Sequence, residues 1–343
     1  MIEWKKGNLL EADVEALVNT VNTVGVMGKG LALQFRQAFP ENYKIYQKAC
    51  KQNKVQMGRM FVVPTDNLVN PRYIINFPTK KHWKGNSHIE DIKDGLDDLV
   101  KVVDELKIKS IAVPPLGCGY GGLSWDAVMP LIQQAFSSLD QVRVFVFTPD
   151  YSPIPEDMQV ATQKPNLTIG RAAIIQLISR YALPGYLLTH LEIQKLAYFL
   201  QSAGEPLKLN FTKQQYGPYA ENLNFVLQRL EGHYIRGYGD RTGAANIHLM
   251  PGADEAANVY LENYSDSCER LKRVIDLIEG FESPYGMELL ATVHWLAQEN
   301  PLVKEDYQVA VDGFKNWNER KRQHFRPEHI QIAWQRLLEQ QWI

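Results

Sequence analysis

The sequence is poor in cysteine and contains no long apolar run. Its 343 residues include three cysteines, Cys50, Cys118 and Cys268, which lie far apart and form no CxxC pair. Scattered cysteines in odd number support neither a disulfide framework nor a structural zinc site. No stretch approaches the roughly 18–20 apolar residues of a membrane-spanning helix, and no apolar segment of a signal peptide follows the start MIEWKKGN. We therefore expect a cytoplasmic protein with no membrane partner, no metal and no cofactor.

The sequence also lacks a strong excess of charge of either sign. The formal net charge is −2; residues 1–165 carry 19 Lys and Arg against 18 Asp and Glu, and residues 166–343 carry 18 against 21. Proteins that hold duplex DNA by releasing counterions are strongly basic. Any contact with nucleic acid is therefore expected to be local.

The length and the spacing of apolar residues predict two domains. A chain of 343 residues is more than twice the commonest size of a single domain. Short branched-apolar runs alternate with helical spacing, as at residues 89–106, which predicts an α/β domain over residues 1–155. Prolines and polar residues interrupt both patterns at residues 150–166, a predicted linker, and residues 167–343 are predicted to be mainly α-helical. The apolar runs are residues 16–21, 72–77, 110–113 and 142–147. Predicted helices of the second domain are residues 171–181, 190–203, 219–230, 255–281, 287–299 and 327–343, with weak strands near 207–211 and 247–249.

Two glycine-rich loops are the most informative feature of the first domain. Each follows an apolar strand and precedes a helix: residues 19–30, NTVNTVGVMGKG, and residues 114–122, PPLGCGYGG, after which Ser124 is a good N-cap residue. Glycines allow backbone N–H groups to approach a phosphate, and a helix N-terminus adds a favourable dipole. Two such loops in one domain indicate a diphosphate held from both sides, although glycine clusters also occur as tight turns without a ligand.

Two common nucleotide motifs fit these loops poorly. The first loop lacks the GxxxxGK[ST] spacing of a P-loop, and no Ser or Thr follows Lys29 to hold magnesium. Gly117, Gly119 and Gly122 satisfy GxGxxG, but a dinucleotide site requires an acidic residue at the end of the next strand, and Asp140 lies before that strand. A nucleotide-dependent oxidoreductase is therefore a disfavoured alternative.

The loops and their surroundings resemble the macrodomain family. The matching stretches are GNL at residues 7–9, ALVNTVN at 16–22, GVMGKG at 25–30 and IAVPPLGCGYGG at 111–122. Thr79-Lys80-Lys81 after an apolar strand, and Leu123-x-Trp125 after GCG, resemble the branch that contains the terminal ADP-ribose glycohydrolase and the DarG antitoxins. The resemblance covers residues 1 to about 150. It implies a three-layer α/β/α sandwich with a mixed central sheet that binds ADP-ribose.

The resemblance also implies a role for each matching residue. Asn8 and Leu9 would contact the adenine; Asn8 replaces the usual Asp, and its amide oxygen can still accept from the adenine amine. The first loop would surround the distal ribose and the second the diphosphate. Without the resemblance, Asn22 is a turn residue at the end of a strand. The residues implied to bind ADP-ribose are Asn8, Leu9, Thr20, Val21, Asn22, Gly28, Lys29, Gly30, Leu31, Thr79, Gly117, Cys118, Gly119, Tyr120 and Gly121.

Lys80 is the residue that the resemblance implies for catalysis. In this branch the matching lysine acts on the anomeric carbon of the distal ribose, and it does so as a nucleophile if burial or neighbouring cations lower its pKa. Lys81, His82 and Lys84 supply nearby positive charge. The eukaryotic glycohydrolase has an acidic residue where this chain has Gly121, so the covalent step is open: Lys80 either works with a water or polarises the bond. A lysine run of this kind is more often a solvated surface loop.

The same segment interleaves cations with an aromatic ring. Lys81, His82, Trp83 and Lys84 form an arrangement in which a base stacks on the ring while the cations neutralise phosphates. The pattern predicts a contact with single-stranded DNA at the mouth of the pocket. Packing of Trp83 within its own loop is an equal alternative.

A second resemblance concerns residues 169–230. IQKLAYF at residues 193–199 and YGPY at 216–219 resemble the helical domain of Panacea or SocA-type antitoxins and the C-terminal half of DarG proteins. Without this resemblance, the segment is an amphipathic helix followed by a Gly-Pro turn.

Nine acidic residues lie between positions 254 and 288. They either form a solvated face or occupy the basic groove of a DNA-binding toxin. They are Asp254, Glu255, Glu262, Asp266, Glu269, Asp276, Glu279, Glu282 and Glu288.

Together the patterns predict a DarG-type antitoxin. Its macrodomain is expected to hydrolyse the N-glycosidic bond between ADP-ribose and a base of single-stranded DNA, by resemblance a thymidine, with ADP-ribose as product. Its helical domain is expected to bind and silence the cognate DarT ADP-ribosyltransferase toxin. The competing hypothesis is a non-catalytic ADP-ribose-binding module with a separate protein-interaction domain, in which Lys80 is a surface residue.

Overall fold

The chain forms two compact units in a computed structural model. The first comprises Met1–Gln163 with Gly239–Gly243, and the second Lys164–Tyr238 with Ala244–Ile343. The predicted linker at residues 150–166 lies partly outside the described residues. No described helix combines the length and the apolar character needed to cross a membrane. The described residues are 1–65, 67, 69–151, 158–182, 186–239 and 246–343.

A six-stranded mixed sheet is the centre of the first unit. The spatial order is β1-β6-β5-β2-β4-β3, and all pairs are parallel except the antiparallel pair of β3 and β4. Sequence periodicity located β2, β4, β5 and β6 but missed the short edge strands β1 and β3. The strands are β1 Ile2–Lys5, β2 Ala16–Asn22, β3 Phe61–Pro64, β4 Tyr73–Lys80, β5 Ser110–Val113 and β6 Arg143–Phe147.

Helices cover both faces of this sheet, because successive side chains of a strand point to opposite faces and both faces are apolar. On β2, Ala16 and Val18 pack in a core cluster with residues of α3 and α4, whereas Leu17 packs with Phe35 of α1. This arrangement confirms the predicted three-layer α/β/α sandwich. The helices are α1 Gly30–Ala38, α2 Pro40–Lys51, α3 Ile89–Glu105 and α4 Trp125–Phe136.

The parallel strands bring three chain segments to one edge of the sheet. β2 lies between β4 and β5 and is parallel to both, so the carboxyl ends of the three strands point the same way. In α/β sheets, ligands bind at this edge. Both glycine loops and Lys80, the last residue of β4, therefore leave the sheet on the same side.

The second unit is mainly α-helical, as predicted, but parts of the helix prediction were wrong. Residues 219 and 220, predicted to begin a helix, end a strand over residues 217–220; residues 262–264 divide the helix predicted over 255–281; and the two helices between residues 307 and 324 were not predicted. The hairpin strand lies at Phe211–Gln214, later than the expected 207–211. The described helices are α5 Ile169–Tyr181, α6 His190–Ser202, α7 Leu223–Leu230, α8 Ala253–Leu261, α9 Ser265–Ile278, α10 Pro284–Glu299, α11 Tyr307–Trp317, α12 Glu319–His324 and α13 Pro327–Glu339. The paired strands are β7 Phe211–Gln214 with β8 Gly217–Ala220, and β9 Ile235–Arg236 with β10 His248–Leu249.

Side chains of α6 explain why residues 217–220 are a strand. Gln194 accepts from the backbone N–H of Ala220 at 2.9 Å and donates to its carbonyl at 3.1 Å. Lys195 Nζ donates to the carbonyl of Pro218 at 2.7 Å, and both side chains are buried. A helix from residue 219 would use the carbonyls of Pro218 and Ala220 in its own hydrogen bonds, so the two side chains favour the extended form.

Glu288 is buried, which corrects its assignment to an acidic surface. It is 2% exposed and accepts from Lys321 Nζ at 2.7 Å and from both terminal nitrogens of Arg320 at 2.7 and 3.2 Å. Its carboxylate neutralises cations that burial would otherwise disfavour. Among the other acidic residues of that stretch, Asp254 is half-buried and the rest are exposed.

Two buried lysines of this unit have lowered pKa values. Burial is the main cause for both; it lowers the pKa of Lys195 to about 7, with a contribution from the charge of Lys321, and the pKa of Lys321 to about 8, although Glu288 opposes the second shift. The unfolded chain restores the ordinary, higher pKa. Between the folded and unfolded values the unfolded state therefore binds more protons, and stability increases with pH.

We predict that the free energy of unfolding rises from pH 7 to pH 9, by up to about 1.4 kcal/mol per pH unit for one such lysine. Lys195→Met should reduce this slope because it removes one of the titrating groups. Urea unfolding followed by tryptophan fluorescence at several pH values measures this slope. The matched control is Lys272→Met, which changes an exposed lysine of α9; equal slopes in both variants would contradict the prediction.

Candidate functional site

The first glycine loop is shaped by Asn22, the last residue of β2. Asn22 is buried; its Nδ2 donates to the carbonyl of Val26 at 2.6 Å, and its Oδ1 accepts from the N–H groups of Val24 and Val26 at 3.1 and 3.3 Å. The hydroxyl of Tyr46 donates to the Asn22 carbonyl. These contacts favour the interpretation of Asn22 as a turn-forming residue, and a direct contact with a ribose stays a prediction.

Positive φ angles explain two of the glycines in this segment. Gly25 has φ of 81° and Gly30, the first residue of α1, has φ of 63°. Residues that carry a side chain rarely adopt this backbone conformation. Gly28 is buried and Lys29 is exposed as the N-cap of α1, so the loop presents mostly backbone where α1 begins. Thr20 and Val21 belong to β2, and Leu31 to α1.

Asn8 and Leu9 lie at the start of a short 3₁₀ helix, Leu9–Glu11, after β1. Asn8 is its N-cap: Oδ1 accepts from the N–H of Leu10 at 3.1 Å, and Nδ2 donates to Glu11 at 2.9 Å. An amide oxygen has two lone pairs, so one remains for the implied adenine contact. Leu9 packs in the same core cluster as Phe35 of α1.

The second glycine loop is closed by backbone hydrogen bonds and holds little side-chain bulk. Gly117 has φ of 72° and its carbonyl accepts from the N–H of Leu123 at 3.1 Å. The N–H of Gly122, with φ of 77°, donates to Gly119 at 3.0 Å. Ser124 is the N-cap of α4 by position, but its side chain makes no capping hydrogen bond. Ser124 contributes through its backbone carbonyl, which accepts from the N–H groups of Ala127 and Val128 at 3.2 Å.

Ser87 supports this loop, and sequence reasoning missed it. Its N–H donates to the carbonyl of Gly121 at 2.9 Å, and its side chain is 5% exposed. A Cβ added at Gly121 would lie 2.3 Å from Ser87 Oγ and 2.4 Å from the Gly117 carbonyl oxygen, whereas one added at Gly119 would meet nothing within 4 Å. Gly121 therefore cannot carry a side chain in this loop geometry. No motif marks Ser87, which follows the exposed KKHWKGN segment.

Lys80 contacts the second glycine loop directly. Its Nζ donates to the carbonyl of Tyr120 at 2.8 Å. Partial burial lowers the pKa of Lys80, and this is the only cause found within the described chain. Of the two causes expected, burial and neighbouring cations, burial accounts for the lowered pKa of Lys80; Lys81, His82 and Lys84 are exposed.

The side chain of Thr79 is buried beside the end of β2. Its Oγ1 donates to the carbonyl of Val21 at 3.4 Å. Strand residues alternate between faces, so the side chains of Thr79 and its neighbour Lys80 point to opposite faces. A contact of Thr79 with ADP-ribose stays a prediction.

Trp83 packs partly within its own loop and remains 39% exposed. Its ring centroid lies 5.3 Å from that of His82, and Lys84 Nζ lies 4.7 Å from the ring. Thr23 of the first glycine loop donates to the carbonyl of Lys81 through both its N–H, at 3.1 Å, and its Oγ1, at 2.9 Å. The segment is thus attached to the first loop, and the Trp83 side chain remains partly exposed.

Cys118 is not a nucleophile in this arrangement. Burial raises the pKa of its thiol to about 11, and Sγ donates to the carbonyl of Leu116 at 3.5 Å. A thiol with a raised pKa is unreactive at neutral pH. In the part of the chain that the structure describes, no group of three or more His, Cys, Asp or Glu residues could hold a metal ion.

Comparisons with known proteins agree with this geometry. The Macro domain family model matches residues 18–132. A Thermus aquaticus protein named DNA ADP-ribosyl glycohydrolase is 51% identical over 98% of this chain and 93% of its own length. A Mycobacterium tuberculosis protein of the same name is 41% identical over 98% of this chain and 99% of its own length. A Thermosipho africanus protein named DNA ADP-ribosyl transferase-DNA ADP-ribosyl glycohydrolase fusion protein is 35% identical over 44% of this chain and 42% of its own length.

The steric difference between two glycines of one loop is testable. Gly121→Ala should lower the free energy of unfolding of the first unit by about 1–3 kcal/mol, because the new methyl group meets backbone at Gly117. Gly119→Ala is the matched control, with a change within about 0.5 kcal/mol, since its methyl group enters open space. Urea unfolding measures both; equal effects would show that the loop adapts freely.

Proposed function

The chain belongs to the DarG family of DNA ADP-ribosyl glycohydrolases, and on this premise we propose that its first unit removes ADP-ribose from thymidine bases of single-stranded DNA. Relatives that match this chain over nearly their whole length bear the name of that activity. The chain is accordingly a glycohydrolase. The thymidine and the single-stranded substrate rest on the family resemblance of the TKK and GCG segments.

The observation that carries the site assignment is the contact between Lys80 and the second glycine loop. Backbone N–H groups of such a loop suit a diphosphate. The Lys80 amine lies on the same loop, 2.8 Å from the Tyr120 carbonyl. A nucleotide diphosphate held by the loop would therefore place its distal ribose near the amine. We assign ADP-ribose binding to the two glycine loops with Asn8 and Leu9, and catalysis to Lys80.

The segment Lys81–Lys84 is proposed to contact the DNA next to the modified base. All four side chains are exposed, and the segment begins directly after Lys80. A partly exposed tryptophan with cations beside it suits a stacked base of any sequence. Its hydrogen bonds from Thr23 attach this DNA contact to the first glycine loop.

The second unit is proposed to bind and inhibit the cognate DarT toxin. The Thermosipho africanus fusion protein is named for a transferase and a glycohydrolase in one chain, which associates the two activities. In this chain, exposed carboxylates of α8 and α9 give the second unit an acidic surface that suits a basic DNA-binding groove. Glu288 is not part of that surface, because it is buried against Arg320 and Lys321.

We expect Lys80→Ala to reduce the release of ADP-ribose by at least about 100-fold, in the range usual for loss of a group that transfers a proton or forms the covalent adduct. Binding of free ADP-ribose should change by less than about threefold, since the loops bind the nucleotide. Release of ADP-ribose from a thymidine-modified oligonucleotide measures the activity, and calorimetry with ADP-ribose measures the binding. Lys101→Ala, an exposed lysine of α3, is the control. A wild-type protein that binds ADP-ribose but releases none from DNA would instead be a reader module.

Charge reversal of the acidic surface should weaken toxin binding. We expect the combined variant Glu262→Lys, Glu269→Lys, Asp276→Lys to bind DarT at least about tenfold more weakly, because close like charges replace complementary ones. Reversal of Glu90 and Asp97 on α3 is the matched control in the first unit. Unchanged affinity in the triple variant, measured by calorimetry with the purified toxin, would exclude this surface as the binding site.

A further inference from the structure

We propose that Lys80 acts as an ammonium ion that gives its proton to the departing base, and that Ser87 is the residue that positions it for this step. The inference rests on the proposed glycohydrolase function and adds a proton donor and a positioning residue to it. It contrasts with attack of a neutral lysine on the ribose.

The first support is the partner of the Lys80 amine. The carbonyl of Tyr120, 2.8 Å from Nζ, can only accept a hydrogen bond. Hydrogen bonds from a charged donor are about twice as strong as neutral ones, so this contact favours the ammonium form. This hydrogen bond uses one of the three N–H groups of the Lys80 ammonium ion, and the other two point elsewhere. One of these can reach a substrate.

The second support is the absence of space for a base that would activate the amine. A neutral lysine nucleophile needs a group that takes its proton, and its adduct needs a group that assists release. In the resembling eukaryotic enzyme, the acid stands at the position of Gly121. In this chain a Cβ at Gly121 would overlap Ser87 Oγ, at 2.3 Å, and the Gly117 carbonyl, at 2.4 Å. The loop therefore cannot present a carboxylate from that position.

Ser87 holds both ends of the segment that carries the Tyr120 carbonyl. Its N–H binds the Gly121 carbonyl, and a Cβ at Gly117 would lie 3.1 Å from Ser87 Cβ, so the side chain fills the hollow of the loop. Ser87 Oγ is buried and has no hydrogen-bond partner within the described ranges. Ser87 therefore supports the loop through its small volume and its backbone N–H. A larger residue would displace the loop and with it the partner of Lys80.

The proposed step balances without a cofactor. The bond between the anomeric carbon and the base nitrogen breaks, and its electron pair goes to the base. The Lys80 ammonium gives a proton to the base, and the oxygen of a water forms the new bond to the anomeric carbon. That water releases a proton to solvent, and the Lys80 amine takes one from solvent. The products are ADP-ribose and the unmodified base.

The two mechanisms differ in the sign of the pH dependence. A proton donor works below its own pKa and fails as pH rises through it, whereas a neutral nucleophile gains activity over the same interval. The titratable groups on the elements around Lys80 include Tyr46 of α2, whose hydroxyl donates to Asn22 at the end of β2, Lys81 and His82 after β4, and Cys118 and Tyr120 on the glycine loop. Burial raises the pKa values of Tyr46 and of the Cys118 thiol.

The first experiment measures single-turnover release of ADP-ribose by the full-length protein between pH 6 and pH 10.5. We expect a rate that falls about tenfold per pH unit on the alkaline side. Mass spectrometry after cyanoborohydride treatment during turnover should find no ADP-ribose adduct on Lys80. A rate that rises with pH, or a trapped adduct, would overturn the proton-donor role. Absence of release at every pH by a protein that binds ADP-ribose would overturn the proposed function as well.

The second experiment tests Ser87 in the same assay. Ser87→Val should lower the single-turnover rate at least about tenfold and displace the alkaline limb, while the dissociation constant of ADP-ribose changes less than about threefold. Ser87→Ala keeps the backbone N–H and adds no bulk, so it should recover most of the rate. A folded Ser87→Val protein with the wild-type rate and pH profile would overturn the positioning role. If Ser87→Val does not fold, Ser87→Ala provides the test. A lower rate in Ser87→Ala with unchanged binding of ADP-ribose would overturn the proposal that Ser87 acts through its small volume.

Discussion

The hydrogen bond from Lys80 Nζ to the Tyr120 carbonyl is the interaction on which the geometry of the candidate site depends. It joins the end of one strand to the glycine loop that follows another. This contact requires β2, β4 and β5 to run parallel as neighbours, because only then do their carboxyl ends lie at one edge. The apolar residues on both faces of β2 hold that order between two layers of helices.

The second glycine loop has no room for a side chain at Gly121. The space there is occupied by Ser87 and by the loop backbone, and at Gly117 a left-handed φ limits substitution. The loop therefore consists mostly of backbone and offers a carbonyl to the Lys80 amine. This steric restriction at Gly121 is one basis of the proton-donor role proposed for Lys80.

The second unit uses buried charge for a structural purpose. One carboxylate, Glu288, lies against Lys321 and Arg320, and Lys195 nearby is held by a backbone carbonyl. Burial of lysine with so few anionic partners destabilises its charged form, which makes the stability of this unit sensitive to pH. The other acidic residues of this stretch are exposed or half-buried, so acids of the same stretch have different surroundings.

The sequence by itself determined the α/β/α sandwich, the helical second unit and the two glycine loops, because periodicity and glycine placement report local conformation and burial. Through family resemblance it also identified Lys80. Only the tertiary structure decided which residues contact Lys80, that Ser87 fills the loop, that Thr79 is buried and that Glu288 is part of an internal ion cluster. It also decided that residues 217–220 form a strand, since Gln194 and Lys195 capture their backbone groups. These outcomes depend on contacts between residues far apart in the chain, such as Lys80 with Tyr120 and Glu288 with Lys321. A local sequence pattern does not indicate such pairs.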